Sequence, residues 1–358
     1  MPVDESVLEA HLDNLAEDYY DLQAPVADQL ASPPSALAAL RMINKGHPTV
    51  IYGFSPILPG ADRDWDAPAT YATIQGDAEV TIAVTDDGLA DSVRLLPDGT
   101  STFVKPLDAR MRMAAFLARL GDSQEKEALY LQSQDGNIFR AEPAAERAPE
   151  LAPFQAVVAR DVAWMREATG QQAEAVNLWV GTSASTTSFH HDPYENIYTV
   201  LSGAKTFTLV APIDGLRLDQ QFYPPSTLVR EDGRLTPRAD EPPAHPVPWV
   251  AELDVPDGVR ALTVTLGPGE SLYLPAGWWH KVQQDEGAGG LAVAVNYWYP
   301  AELRAERYAL ERLAQRVARS AGRDGVIPLP EDAVADDVWG DDGDVTSADE
   351  WDPKDWGR

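Results

Sequence analysis

His190, Asp192 and one distant histidine, His280, are the residues of this chain whose types and spacing carry the most chemistry. The first two stand in Phe189-His190-His191-Asp192-Pro193, and the third follows the turn in LYLPAGWWHKV. Residues i and i+2 of a β-strand share a face, so His190 and Asp192 are expected to project into one cavity while His191 points away. Two imidazoles and a carboxylate on one side of a metal make the facial triad of non-haem Fe(II) oxygenases. That arrangement leaves the opposite coordination positions open for substrate, cosubstrate and dioxygen. An isolated H-x-D is a short pattern, and a surface pair of this kind needs no metal. Its weight comes from the elements around it.

TTSFHHDPYENIYTVLSGAKTFTLVAP reads as two β runs rich in Tyr, Val, Thr and Phe, joined at Ser202-Gly203. GPGESLYLPAGWWHKVQQ reads as a hairpin whose tip carries Pro275 and Gly277, just ahead of His280. Each candidate ligand thus falls at a strand end or turn, where a rigid scaffold can aim it. LAVAVNYWYP is apolar enough to be a central strand. From 126 to 300 the text is mostly short β runs punctuated by Pro and Gly, with a helix near Pro153 to Thr169, which predicts a barrel or jelly roll.

Upstream, 5–22 and 33–42 read as helices, with Val7, Leu8, Leu12 and Leu15 on one face of the first. ATYATIQGDAEVTIAVTDDG reads as strand, with Val80, Ile82 and Val84 alternating and a turn at Asp87-Gly88. Arg110 to Leu120 reads as a short helix, and EALYLQSQDGN as a strand ending at Asp135-Gly136. After residue 300, AELRAERYALERLAQRVARSAG sets Leu303, Leu310, Leu313 and Val317 near helical spacing. Such a helix either packs on its own domain or pairs with a second copy to make a homodimer. The expected division is a helical and β region over 1–125 packed on the core, a jelly roll over 126–300, a C-terminal helix over 301–322 and an acidic, mobile tail over 323–358.

Composition bounds the function. The 358 residues include no cysteine, which excludes thiolate zinc and iron–sulfur sites, and only six histidines, of which His11, His47 and His245 read as solvated side chains. A formal net charge of −29 tells against phosphate-backbone binding and so against a nucleic-acid partner. Eleven acidic residues fall in 331–358, where Trp339, Trp351 and Trp356 are possible docking points for the tail. The first residues show no signal-peptide pattern and no run of 18 apolar residues occurs, so no membrane span and an intracellular location are expected, cytoplasmic with the nucleus not distinguished.

NLWVG, TSFHHDPYENIYTVLSGAKTF, LYLPAGWWHKVQQ and AVNYWY stand in the order and spacing of the jumonji-C (JmjC) family of Fe(II) and 2-oxoglutarate oxygenases. The resemblance reaches upstream to PPSAL and TIAVTDDGLADSV, covers most of 33–310, and is nearest to the family's (3S)-lysyl hydroxylase type. It implies a double-stranded β-helix (a cupin-like jelly roll, mainly β with flanking helices) with His190, Asp192 and His280 as iron ligands. Lys205, fifteen residues after His190, falls on the lysine that grips the distal carboxylate of 2-oxoglutarate. Read without the resemblance, Lys205 is equally an exposed strand lysine. Thr187 and Tyr130 fall on hydroxyl donors to the same cosubstrate, Asn196 and Asn296 on amides lining its pocket. Trp179, Trp278, Trp279 and Trp298 read as core and cavity wall. His191 and Pro193 depart from the lysyl hydroxylase pattern beside Asp192; neither is a ligand position, so the change bears on the rim of the site.

The activity implied is hydroxylation of a lysine in a protein, a translation-associated GTP-binding protein, with dioxygen consumed and succinate and carbon dioxide released. Glu195 and Asp285 are candidates to receive the lysine cation. The alternatives are a JmjC hydroxylase of another side chain, an RNA base modifier, a demethylase or a peptidase on the same scaffold, and a non-catalytic cupin module that binds a metal or a partner.

Overall fold

β-branched and aromatic runs separated by short Gly- or Pro-containing connections leave little room for long helices, and the computed structural model folds them into two facing sheets. It describes residues 5–132, 136–140, 148–241, 245–302, 304–323 and 325–326. The large sheet runs, in spatial order, Asp28–Leu30, Thr49–Ile51, Ser271–Leu274, Tyr194–Ser202, Ala292–Pro300 and Ala175–Gly181. The small sheet runs Ala261–Leu266, Ala204–Val210, Trp279–Asp285, Thr186–His190 and Leu89–Ala90. Between them lies an apolar layer from both, including Tyr198, Leu272, Leu274 and Trp298 of one and Phe207, Leu209, Val264 and Leu266 of the other. This is the cupin-like jelly roll.

Successive strands pass from one sheet to the other. Gly203 makes one crossing with φ +69°, and a Cβ there would stand 2.3 Å from the Asp285 carbonyl oxygen, so only glycine fits. The expected hairpin over 271–285 is corrected: Ser271–Leu274 pairs with Tyr194–Ser202 in the large sheet, whereas Trp279–Asp285 pairs with Ala204–Val210 and Thr186–His190 in the small one. Ala292–Pro300 is central, flanked on both sides and buried through Tyr299.

The outer face of the large sheet packs on the chain before residue 126, through Ile197, Tyr273, Val293, Val295 and Tyr297 against Tyr71, Val80, Ile82, Val84, Met113 and Phe116. That part also supplies three strands to the two sheets, so residue 125 does not end a separate body. Its helices shift from their expected places. Ser35 caps Ala36–Lys45; Pro68–Gln75, expected as strand, is helical with Tyr71 and Gln75 buried one turn apart; and Leu107–Arg112 is strand, so the helix begins only at Met113. In the 153–169 region a short 3-10 turn, Ala152–Ala156, and a helix, Ala163–Thr169, replace one helix. The strand expected to end at Asp135 spans Ala128–Tyr130, and residue 135 lies outside the described residues.

The C-terminal helix, Ala305–Ser320, packs on the N-terminal helix, Glu5–Tyr20, with Leu12, Ala318 and Val326 in one apolar cluster and Arg323 paired to Glu9. Its buried side holds Arg312, Ala314 and Ala318, with Val317 of the expected face packed beside them, while Leu310 and Leu313 of that face are exposed. Leu303 and the tail from 327 onward, tryptophans included, lie outside the described residues. No helix among the described residues is long and apolar enough to cross a membrane.

Candidate metal centre and anion pocket

Thr186–His190 runs antiparallel to Trp279–Asp285, with Thr187 opposite Val282 and His190 opposite His280; the pairing shifts between them, leaving one extra residue on the first strand. Directly opposed residues share a face, so this bulge turns Thr187 and His190 the same way, inward with His280. Simple alternation would have set them on opposite faces. Asp192 reaches the site by a different route from the one expected. The strand stops at His190, and Asp192 comes from the connection, held where its carbonyl accepts the Gly277 N–H at 2.9 Å.

Donor atoms of His190, Asp192 and His280 lie within 4.8 Å of one another. His280 Nε2 stands 3.8 Å from Asp192 Oδ2, and the two imidazole centroids are 4.1 Å apart. His190 Nδ1 lies 2.9 Å from the Ser188 carbonyl and His280 Nδ1 lies 3.0 Å from that of Trp278. A carbonyl only accepts, so each Nδ1 carries the proton and each Nε2 keeps its lone pair for a metal. Burial, reinforced by the neighbouring His190, holds His280 well below the usual imidazole range, which keeps it neutral as a metal ligand must be. Two imidazole nitrogens and a carboxylate on one side fit a divalent iron. His191 does point away: its ring packs on Trp279 at 4.5 Å and burial lowers its pKa to about 4.

Lys205 stands opposite Gln284, and Leu209 opposite His280, so the lysine sits four residues, ~13 Å in Cα separation, along the same inner face. It is fully buried, which removes the exposed-strand reading. Its ammonium donates to Tyr130 Oη at 3.1 Å and to Gln284 Oε1, with no carboxylate within ion-pair distance among the described residues. Burial without a counter-anion pulls its pKa down to about 7. Gly181 allows this closure, since a Cβ there would lie 2.6 Å from the Tyr130 ring and 2.8 Å from Gln284 Nε2.

Asn296 and Asn196 face the same interior from the large sheet and are tied by a 3.2 Å bond from Asn296 Nδ2 to Asn196 Oδ1. Asn296 Oδ1 accepts from Trp179 Nε1 at 2.8 Å and from Asn177 Nδ2 at 3.1 Å, so its amide orientation is fixed. All eight expected residues therefore line one interior, with Thr187 half-buried beside the metal triad.

Sequence reasoning missed Gln284, Tyr198, Asn177 and Trp249. Gln284 and Tyr198 were available from period two, being the alternate positions after His280 and Asn196. Trp249 was not: its ring lies parallel to His190 at 6.1 Å from 59 residues away. Glu195 and Asp285 do not enter the site. Glu195 faces the opposite side of the large sheet, accepting from Tyr273 Oη at 2.6 Å, and Asp285 is exposed on the outer face. Nor is His47 solvated; it is buried, its ring edge-on to Trp278 and its Nε2 2.9 Å from the Val26 carbonyl.

A family described as cupin-like domain matches residues 34–305. Among curated proteins, the chain is 34% identical over 317 residues to the human bifunctional peptidase and (3S)-lysyl hydroxylase JMJD7, covering 85% of this chain and 93% of that protein. It is 32% identical over 328 residues to the Arabidopsis thaliana lysine-specific demethylase JMJ32, covering 85% and 90%. With the JmjC domain-containing protein E of Dictyostelium discoideum it shares 29% over 279 residues, covering 68% and 77%.

Proposed function

The chain belongs to the cupin-like JmjC family of oxygenases, and from that premise we propose that it is an Fe(II)- and 2-oxoglutarate-dependent protein hydroxylase acting on a lysine side chain. The observation that carries the reading is Lys205, a buried ammonium with no carboxylate partner among the described residues, on the same inner face as three converging metal donors. An unpaired buried cation is costly, and a dicarboxylate removes that cost.

His190, Asp192 and His280 would hold Fe(II), which supplies the redox chemistry that activates dioxygen as 2-oxoglutarate is decarboxylated to succinate. The chain's own work is placement. Nδ1-to-carbonyl bonds fix both imidazoles with Nε2 inward. Lys205, Tyr130 and Gln284 form the polar end that receives the far carboxylate of the cosubstrate, and Thr187 stands between that end and the metal donors. Apolar walls from Phe207, Leu209 and Trp298 exclude water along the way.

The lysine assignment is supported by the human relative, which is named a (3S)-lysyl hydroxylase and is matched over nearly its full length. The partner proposed is a translation-associated GTP-binding protein, in the cytoplasm. The Arabidopsis relative, named a lysine-specific demethylase, favours a second reading in which the oxidised C–H lies on a lysine N-methyl group. Peptide mass spectrometry after incubation with Fe(II), 2-oxoglutarate and ascorbate separates them. Gain of one oxygen on a lysine, absent with His190→Ala, supports hydroxylation; loss of a methyl group supports demethylation; 2-oxoglutarate consumption with neither discards the lysine.

A further inference from the structure

Each metal-facing imidazole is fixed by the residue two places before it, His190 by the Ser188 carbonyl at 2.9 Å and His280 by the Trp278 carbonyl at 3.0 Å. A carbonyl orients a ring only as firmly as its own peptide is held. His190 and His280 stand opposite one another across the strand pair, yet their two carbonyls are secured by different parts of the chain.

Ser188 and Trp278 are both buried, and each carries a polar side-chain group bonded to a segment remote in sequence. The Ser188 hydroxyl donates to the Asp91 carbonyl at 2.7 Å and accepts from Trp249 Nε1 at 3.0 Å, and the Trp249 ring lies parallel to His190 itself. Trp278 Nε1 donates at 3.0 Å to the carbonyl of Gly46, which ends the helix Ala36–Lys45 in a left-handed turn of φ +63°. His47 packs edge-on against the same indole. The connection bearing Trp278 is attached at two further points: the Ala276 N–H lies 3.4 Å from Glu195 Oε2, and the Gly277 N–H bonds the Asp192 carbonyl at 2.9 Å. A buried hydroxyl or indole N–H lowers stability unless it is bonded, and an apolar side chain fills such a position without that demand. What the bonds add is a peptide that cannot turn.

We propose that Ser188 and Trp278 are positioning residues of the metal centre, whose side-chain bonds to Asp91, Trp249 and Gly46 hold the carbonyls that aim His190 and His280. The inference rests on the metal-triad reading above and deepens it. Both residues act through an imidazole. A ring already aimed meets the metal without being ordered first, whereas a loosened carbonyl lets its imidazole turn and adds that ordering to the cost of binding. Lys205 and Tyr130 are bonded to each other at the other end of the interior, so the contact to the far carboxylate of 2-oxoglutarate is left alone.

The test titrates Co(II) alone into the full chain and follows its visible absorption, which reads ligand geometry, with Tm measured alongside and His190→Ala defining the site. Ser188→Ala and Trp278→Phe each remove a side-chain hydrogen-bonding group while leaving most of the volume, and Ser188→Thr restores the hydroxyl. The Kd for Co(II) should rise about 10-fold in Ser188→Ala and in Trp278→Phe, with an altered spectrum, and return to within about threefold of wild type in Ser188→Thr. With Fe(II) saturating, kcat should fall about 10-fold in the two weakened variants while the KM for 2-oxoglutarate moves by less than about threefold. Wild-type Co(II) affinity and spectrum in folded Ser188→Ala and Trp278→Phe, whatever their loss of Tm, overturn the positioning role and leave the metal centre standing. Absence of Co(II) binding by the wild type overturns the metal centre and the positioning role together.

Discussion

At the scale of single residues, the account turns on Lys205. Its pKa is lowered by burial to about 7 from an ordinary 10.5. Between those values the unfolded chain holds a proton that the folded chain has lost, so stability without cosubstrate rises with pH across that window; below about 7 the penalty for the buried ammonium is carried in full. Cosubstrate binding has the opposite sign, because a dicarboxylate needs the protonated form. The apparent KM for 2-oxoglutarate should climb about tenfold per pH unit above the Lys205 pKa, read from initial rates across pH. Lys205→Met should raise that KM roughly 100-fold with a smaller loss of kcat, and an unchanged KM would remove Lys205 from the pocket. The histidines were legible because the chain has only six, and Asp192 because it stands two residues after His190. Burial of Lys205 was not, since alternation gives a face only when the strand's other side is known. Trp249 was hidden for a different reason: its contact with the ligand strand joins segments distant in sequence, and no local pattern records it.

Elements carry the geometry through their connections. Gly203→Ala should cost about 2–4 kcal/mol, combining a strained φ with a backbone clash at the Asp285 and Leu291 carbonyls, and a fall in Tm of several degrees would register it. The strand text around 186–210 and 271–300 was readable in advance, including the turn at Ser202-Gly203. Sheet membership was not. A four-residue connection such as Pro275 to Trp278 serves a hairpin or an inter-sheet crossing equally well, and only the partners decide. Pro68–Gln75 misled for a related reason: Thr, Tyr and Ile favour strands locally, but burial of Tyr71 against Phe154 selects the helix. Likewise the bulge that turns Thr187 inward depends on the facing strand.

For the whole molecule, the C-terminal helix packs on the N-terminal helix yet leaves Leu310 and Leu313 outward, at 61% and 54% exposure. A homodimer through this surface is the proposal these residues support. Light scattering should give a dimer mass for the wild type and a monomer mass for Leu310→Asp/Leu313→Asp with an unchanged circular-dichroism spectrum; a wild-type monomer would end it. The net charge of −29 acts at this scale too, and it supports the proposal of a cationic partner surface over a phosphate backbone.

The central claim, that one interior joins a metal triad to a dicarboxylate pocket for oxidation of a lysine C–H bond, is tested most directly by turnover under ¹⁸O-labelled dioxygen. The account predicts one heavy oxygen in succinate and one on a lysine of the substrate protein, both absent with Asp192→Ala. Oxygen on the lysine that derives from water, or labelled product from the Asp192→Ala protein, would contradict it.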